Sequence, residues 1–210
     1  TYTTLGLNEE TDYALRIRRQ KSVALPSQGY LEGLIGALLD TTDVTEAVVY
    51  ENDTNSTDAN GIPGHSIWCI VEGGTNTAVA NAIYVKRNAG CGMKGTITVP
   101  VLQADGSFFS IKFDRPTSED LYISFNIVAV TGSVDASFIR NQILSLLSYT
   151  IAQPAIASEI TALVESIAPN GSISDMGVSN DGITYVSLLD TAAINNQWAL
   201  ASARILINGS

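Results

Sequence analysis

A single histidine, His65, and two cysteines, Cys69 and Cys91, are all the imidazole and thiol ligands that 210 residues provide. With neither a CxxC nor an HxxxH spacing, they are too few for a zinc site. Two cysteines do not make a disulfide framework, and both read as reduced thiols. Basic residues are scarce as well: 11 Lys and Arg stand against 21 Asp and Glu, a net charge of −10. Nucleic acid and anionic membrane surfaces both demand a basic footprint, so the balance argues against either as main partner. No apolar run approaches the roughly 20 residues of a membrane span. The opening Thr-Tyr-Thr-Thr has neither an initiator Met nor a basic-then-apolar pattern, which reads as a fragment or a processed product.

Catalytic motifs are missing too. There is no GxSxG, no GxGxxG and no Walker spacing. A Ser or Cys nucleophile has only His65 to serve as base, and no neighbour in sequence orients that imidazole. His65 reads instead as a residue holding loop backbone. Cys91 lies among glycines near Lys86, Arg87 and Lys94, charges of the sign that activates a thiol, yet it reads as a bystander. The polar run from Asp53 to Gly64 fails as an EF-hand loop: its sixth position is Asp58 and its twelfth Gly64, where Gly and Glu are required. Gly73-Gly74-Thr75 reads as a strand-to-helix turn, not as a phosphate cradle. Paired carboxylates stay open, because the fold sets their spacing. The motifs thus predict a non-enzyme with no cofactor and no metal.

What the chain does contain is 45% hydrophobic residues with only 15% charged, enough to bury a core. Residues 8–24 read as a helix, with Glu9, Glu10 and Asp12 at its start and Arg16, Arg18, Arg19 and Lys21 toward its end, as the helix dipole favours. Leu31, Leu34, Ile35, Leu38 and Leu39 form one apolar stripe of a second helix, 28–39. Strands are expected at 45–50 and 66–71, joined by a polar loop, 51–64. A helix at 75–87, capped by Thr75 or Asn76, leads to a second loop, 88–95. Strands 96–102 and 108–113 flank Ala104-Asp105-Gly106, a hairpin signal.

In the second half the pattern predicts a strand at 121–130 and helices at 134–149 and 155–168, split at Gln153-Pro154. The first of these is expected to bury Phe138, Ile139, Ile143, Leu146 and Leu147, and the second Ile156, Ile160, Leu163, Val164 and Ile167. Strands at 173–178, 184–189 and 201–208 follow, with Asn180-Asp181-Gly182 as a hairpin turn. Helices and hairpins come in blocks, without strict alternation, so the expected class is α+β. Two small α+β regions are expected, 1–118 and 119–210, each built from helix pairs packed on antiparallel or mixed sheets. A weak echo links the helix-to-strand passage at 37–50 with the one at 162–178.

The order of certain residues is specific. Asn8-Glu9-Glu10-Thr11-Asp12, Leu15-Arg16-Ile17-Arg18-Arg19, Ser22, Pro26 and Gly29 come first. Next are Val48 to Thr54, Asp58-Ala59-Asn60-Gly61-Ile62-Pro63 and His65-Ser66-Ile67, and after them Val71-Glu72-Gly73-Gly74, Val79 to Ile83 and Lys86. Gly92 to Gly95 and Phe113-Asp114-Arg115-Pro116-Thr117 close the run. Over roughly residues 8–130 this resembles the baseplate J-like proteins of contractile-tailed phages and related injection particles; beyond 130 the likeness is one of element order and Trp198. The resemblance implies a structural wedge protein of the baseplate. Its partners would be other wedge proteins, the tail hub and further copies of itself, in a virion tail assembled in the bacterial cytoplasm. It brings no catalytic residues. Candidate contact residues are the basic Arg16, Arg18, Arg19 and Lys21, and Asp53, Asn55 and Asp58 of the polar loop. Residues 116–210 hold two basic groups, Arg140 and Arg204, against eight acidic ones, so a head-to-tail contact with the basic helix is expected. The alternative is a receptor- or carbohydrate-binding module, which needs exposed aromatics clustered on one face.

Overall fold

A computed structural model describes Arg19 and residues 31–208, and divides the chain into two compact units, Thr1–Arg115 and Pro116–Ser210. Among the described residues four full helices and twelve strands in small antiparallel, parallel or mixed sheets make it an α+β protein. The expected helix 8–24 lies outside the described residues, apart from Arg19, which is helical and exposed. A boundary after residue 118 would cut through a strand of the second unit; the division falls at Arg115.

In the first unit, α1 (Leu31–Leu39) buries Leu34, Leu38 and Leu39. It leads into the antiparallel pair β1 (Val44–Asn52) and β2 (Ser66–Gly73). The turn into α2 (Asn76–Lys86) admits only glycine at position 73: φ is +75°, and an added Cβ would lie 2.1 Å from Asp43 O. Thr75 Oγ1 then caps α2 by accepting from Ala78 N at 3.2 Å. The stretch expected as an uninterrupted loop, 88–95, contains β3 (Gly92–Lys94), which pairs parallel with β2. Three residues are too short a run to show a period in sequence.

The hairpin β4 (Ile97–Leu102) and β5 (Phe108–Phe113) pairs from Ile97 opposite Phe113 to Leu102 opposite Phe108. Strand alternation gives the β1–β2 sheet two buried faces. Ala47, Val49, Ile67, Cys69 and Val71 join α1, α2 and the hairpin residues Val101, Ile111 and Phe113 in one core. Trp68 and Ile70 point the opposite way; they too are buried, as is Ile62 of the polar loop.

The second unit is centred on β7 (Tyr122–Ala129), antiparallel to β9 (Gly171–Ser179) and parallel to β12 (Ile205–Asn208). Ile123, Phe125 and Ile127 of β7 pack with Ile139 and Ile143 of α3 (Ala136–Leu146) and Ile160 and Val164 of α4 (Ala157–Ile167). Asp135 caps α3, its Oδ1 accepting from Ser137 N at 2.9 Å and Phe138 N at 3.0 Å. Two residues expected in the core, Phe138 and Leu146, are 51% and 58% exposed. The helix is shorter than its pattern, so the buried stripe narrows to Ile139 and Ile143. Phe138 sits about 100° round the helix from Ile139, and Leu146 falls in the last turn.

Two strand expectations need correction. Of 184–189 only β10 (Leu188–Leu189) forms, against β8 (Ala155–Ile156), with one further bridge between Val178 and Val186. The backbone there is spent on a tight turn at Asp181, and Ile183 is left exposed. The strand expected at 201–208 is shortened by a 3-10 turn, Ser202–Arg204. A parallel pair unseen in the sequence, β6 (Thr117–Asp120) with β11 (Asn196–Ala199), holds Trp198 in the core.

Candidate interaction surface

The polar loop between β1 and β2 is organised from its root. Asn52, 4% exposed, donates from Nδ2 to Ser56 O at 2.8 Å and Ile62 O at 2.7 Å. Its Oδ1 accepts from Thr54 N at 3.0 Å and Thr54 Oγ1 at 2.7 Å. One buried amide thus satisfies both ends of the loop, the Asx-turn chemistry that its sequence Asn52-Asp53-Thr54 carries. Asp58 does the same at the tip: Oδ1 accepts from Asn60 N at 2.9 Å and Ile62 N at 2.8 Å. With these bonds made, Ile62 is buried although it belongs to the polar loop.

His65 ties the loop to β3. Its N donates to Thr54 O at 3.2 Å, and its carbonyl accepts from Gly92 N at 3.0 Å. Its Nε2 lies 2.8 Å from Asn55 Oδ1, which fits a tautomer protonated at Nε2. Lys94, the last residue of β3, completes the attachment. Its Nζ sits 3.3 Å from the centroid of the Trp68 ring and donates to Asn60 O. Trp68 in turn donates from Nε1 to Asp114 Oδ2 at 2.7 Å. Asp114 Oδ1 accepts from Thr96 N at 2.8 Å and from Thr96 Oγ1. Arg115 donates to Val71 O at 2.9 Å, to Gly73 O, to Gly74 O at 2.8 Å and to Asn76 Oδ1 at 2.8 Å, closing the turn into α2. Sequence reasoning passed over Asn52, Lys94 and Asp114 as site residues: Asn52 turns inward on its own loop, and the partners of Lys94 and Asp114 are distant in sequence.

Of the candidate contact residues, Arg16, Arg18 and Lys21 lie outside the described residues, and Arg19 is exposed. Asp53 and Asn55 are exposed at the loop surface, whereas Asp58 is half-buried and turned onto its own backbone. Both stretches expected as loops line one groove of about 260 Å³, formed by Glu51, Asn52, Asp53 and His65 on one side and 88–91 on the other. Cys91 borders it without being activated: burial pushes its thiol above the ordinary value, outweighing the lowering effect of Arg87. Cys69, buried in β2, is pushed up to about 12 by burial and by Cys91. Both cysteines are free thiols.

Among the described residues no group of three or more His, Cys, Asp or Glu is placed to hold a metal ion, and no helix is long and apolar enough to cross a membrane. The groove offers hydrogen-bonding groups and carboxylates on a firmly held loop, an arrangement suited to contacts between macromolecular surfaces. No protein-family model matches the chain, and no curated protein matches it.

Proposed function

We propose that the chain is a structural wedge protein of a contractile-tail baseplate, in which it contacts other wedge proteins, the tail hub and further copies of itself. The observation that carries this reading is the ordered run of residues over roughly 8–130 that resembles the baseplate J-like family. What supports it further is the work those residues do. Asn52, Asp58, Gly73, Asp114 and Arg115, all within the run, spend their polar groups or their conformational freedom on backbone geometry. Residues of that kind serve a scaffold that presents a surface. The reading assigns no catalytic residue and no cofactor, and places the protein in a tail particle assembled in the bacterial cytoplasm. The alternative, a receptor- or carbohydrate-binding module, lacks a tryptophan platform, since Trp68 and Trp198 are both buried.

Quantitative mass spectrometry of purified tail particles is the direct test. The protein should be present at a fixed ratio of a few copies per tail relative to sheath and tube proteins; its absence from intact particles would sink the proposal. The charge distribution adds a second test. In the acidic second unit Arg204 is already paired with Asp120 at 2.7 Å, and Arg140 donates to Ile205 O at 3.1 Å. An incoming basic segment therefore meets carboxylates with little competition. Charge reversal at Arg16, Arg18 and Arg19 should weaken assembly between copies in a salt-dependent way, read by sedimentation at two ionic strengths.

A further inference from the structure

We propose that Asn60-Gly61, at the tip of the polar loop, is a self-modification site where the chain converts its own asparagine to a carboxylate. In this reaction the Gly61 nitrogen loses its proton to solvent base and forms a bond to Cγ of Asn60. The side-chain nitrogen leaves as ammonia, and water opens the resulting succinimide to aspartate or isoaspartate. The balance is one water consumed and one ammonia released, with no oxidation or reduction.

Three features of the site favour it. Asn60 and Gly61 are both exposed, and the Asn60 side chain has no hydrogen-bond partner among the described residues. A Cβ placed on Gly61 would meet only Lys94 Nζ, at 3.7 Å, so no side chain crowds the attacking nitrogen. The decisive feature is the position of Lys94. When Gly61 N is deprotonated, the negative charge is shared with the carbonyl oxygen of the same peptide unit, Asn60 O. That oxygen already accepts a hydrogen bond from the Lys94 ammonium. The ammonium is held in place on the Trp68 ring, 3.3 Å from its centroid, so the anion finds its counter-charge preorganised. Opposing these is the bond from Gly61 N to Asp58 O at 3.1 Å, which has to open before the proton leaves.

A second Asn-Gly step in the same protein provides an internal control. Asn170 Nδ2 is tethered to Thr131 O at 3.1 Å and Ser133 O at 3.0 Å. Its backbone oxygen accepts from a neutral amide, Val130 N, at 2.8 Å, and among the described residues no cation is hydrogen-bonded to it. Asn170 should therefore persist while Asn60 converts. Once formed, isoaspartate lengthens the backbone by one carbon and breaks the register of the Asp58 to Ile62 bonds. A negative charge then stands beside Asp58 on the surface offered to neighbours.

The test is a time course of the full chain at mildly alkaline pH, with peptide mapping by mass spectrometry that separates aspartyl and isoaspartyl products. Conversion at position 60 and none at position 170 is expected. Lys94→Met should slow the reaction about tenfold, less than a buried oxyanion donor supplies because the loop is exposed. Lys94→Arg should keep most of the rate. An intact Asn60, equal conversion at both positions, or a Lys94→Met rate equal to or above the parent's would overturn the proposal. The comparison of the two asparagines in the unaltered chain needs no variant to fold.

Discussion

At the scale of single residues the polar side chains of this protein act mostly on their own backbone. Asp181 is the plainest case: its Oδ1 accepts from Ser179 Oγ at 2.6 Å, Ile183 N at 2.8 Å and Thr184 N at 2.9 Å. These donors hold its carboxyl down at about 2, below the ordinary 3.8. A carboxylate with a depressed folded-state value contributes stability above its unfolded value, and that stability is lost as pH falls through the folded one. Asp181→Asn keeps the acceptor oxygen and removes the charge. Its deficit relative to the parent should be full at pH 5 and vanish as pH falls from about 4 to about 2, read as urea midpoints along a pH series. Asp114 is buried and serves two N–H donors, Trp68 Nε1 and Thr96 N. Asp114→Ala leaves both without a partner and should cost roughly 2–4 kcal/mol in equilibrium unfolding. The cysteines give a reactivity check on the same packing: alkylation of the native protein should reach the half-buried Cys91 first and Cys69 only on unfolding.

At the scale of elements, two glycines with left-handed backbones separate conformational from steric cost. Gly106 in the β4–β5 turn has φ +84° and open space where a Cβ would go, so Gly106→Ala should cost about 1–2 kcal/mol. Gly73 has a similar φ, but its Cβ would collide with Asp43 O, and Gly73→Ala should be far more damaging in thermal unfolding. Elements of this kind were legible in the sequence because their causes are local. The β5 strand Phe108–Phe113, the Thr75 cap and the stripe of α1 each follow from neighbours within a few residues. The parallel pairs were not legible. Asn196 pairs with Thr117, and Ile205 with Ile123, across most of the second unit, and strands of four residues carry no period that betrays such partners. The exposure of Phe138 and Leu146 was hidden for a related reason: an apolar stripe shows what a helix could bury, and the neighbours decide how much of it is covered. For the candidate site, the polar loop was visible as composition. Its anchoring by Asn52, Asp58 and Lys94 was not, because composition does not show which polar groups turn inward.

At the scale of the whole molecule each unit contains, among its described residues, two helices and one long antiparallel strand pair, with further strands that differ between the two. The first runs helix, strand, strand, helix (α1, β1, β2, α2), and its strands pair antiparallel. The second contains strand, helix, helix, strand (β7, α3, α4, β9), again with an antiparallel strand pair. The weak echo between 37–50 and 162–178 falls on α1 into β1 and on α4 into β9, each a helix followed by a strand of its unit's antiparallel pair. Each unit closes around its own core, with Phe113 fully buried in the first and Phe125 fully buried in the second. Separate cores give separate stabilities, because a cavity destabilises the atoms that line it. Phe113→Ala and Phe125→Ala should each cost about 3–5 kcal/mol within their own unit. Native-state hydrogen exchange distinguishes the sites of damage. Phe113→Ala should lower protection in β1, β2 and β5 and leave β7 and β9 at parent values, and Phe125→Ala should do the reverse. A uniform loss of protection across both units from either substitution would mean that they unfold as one cooperative body, and would refute the independence that two closed cores imply.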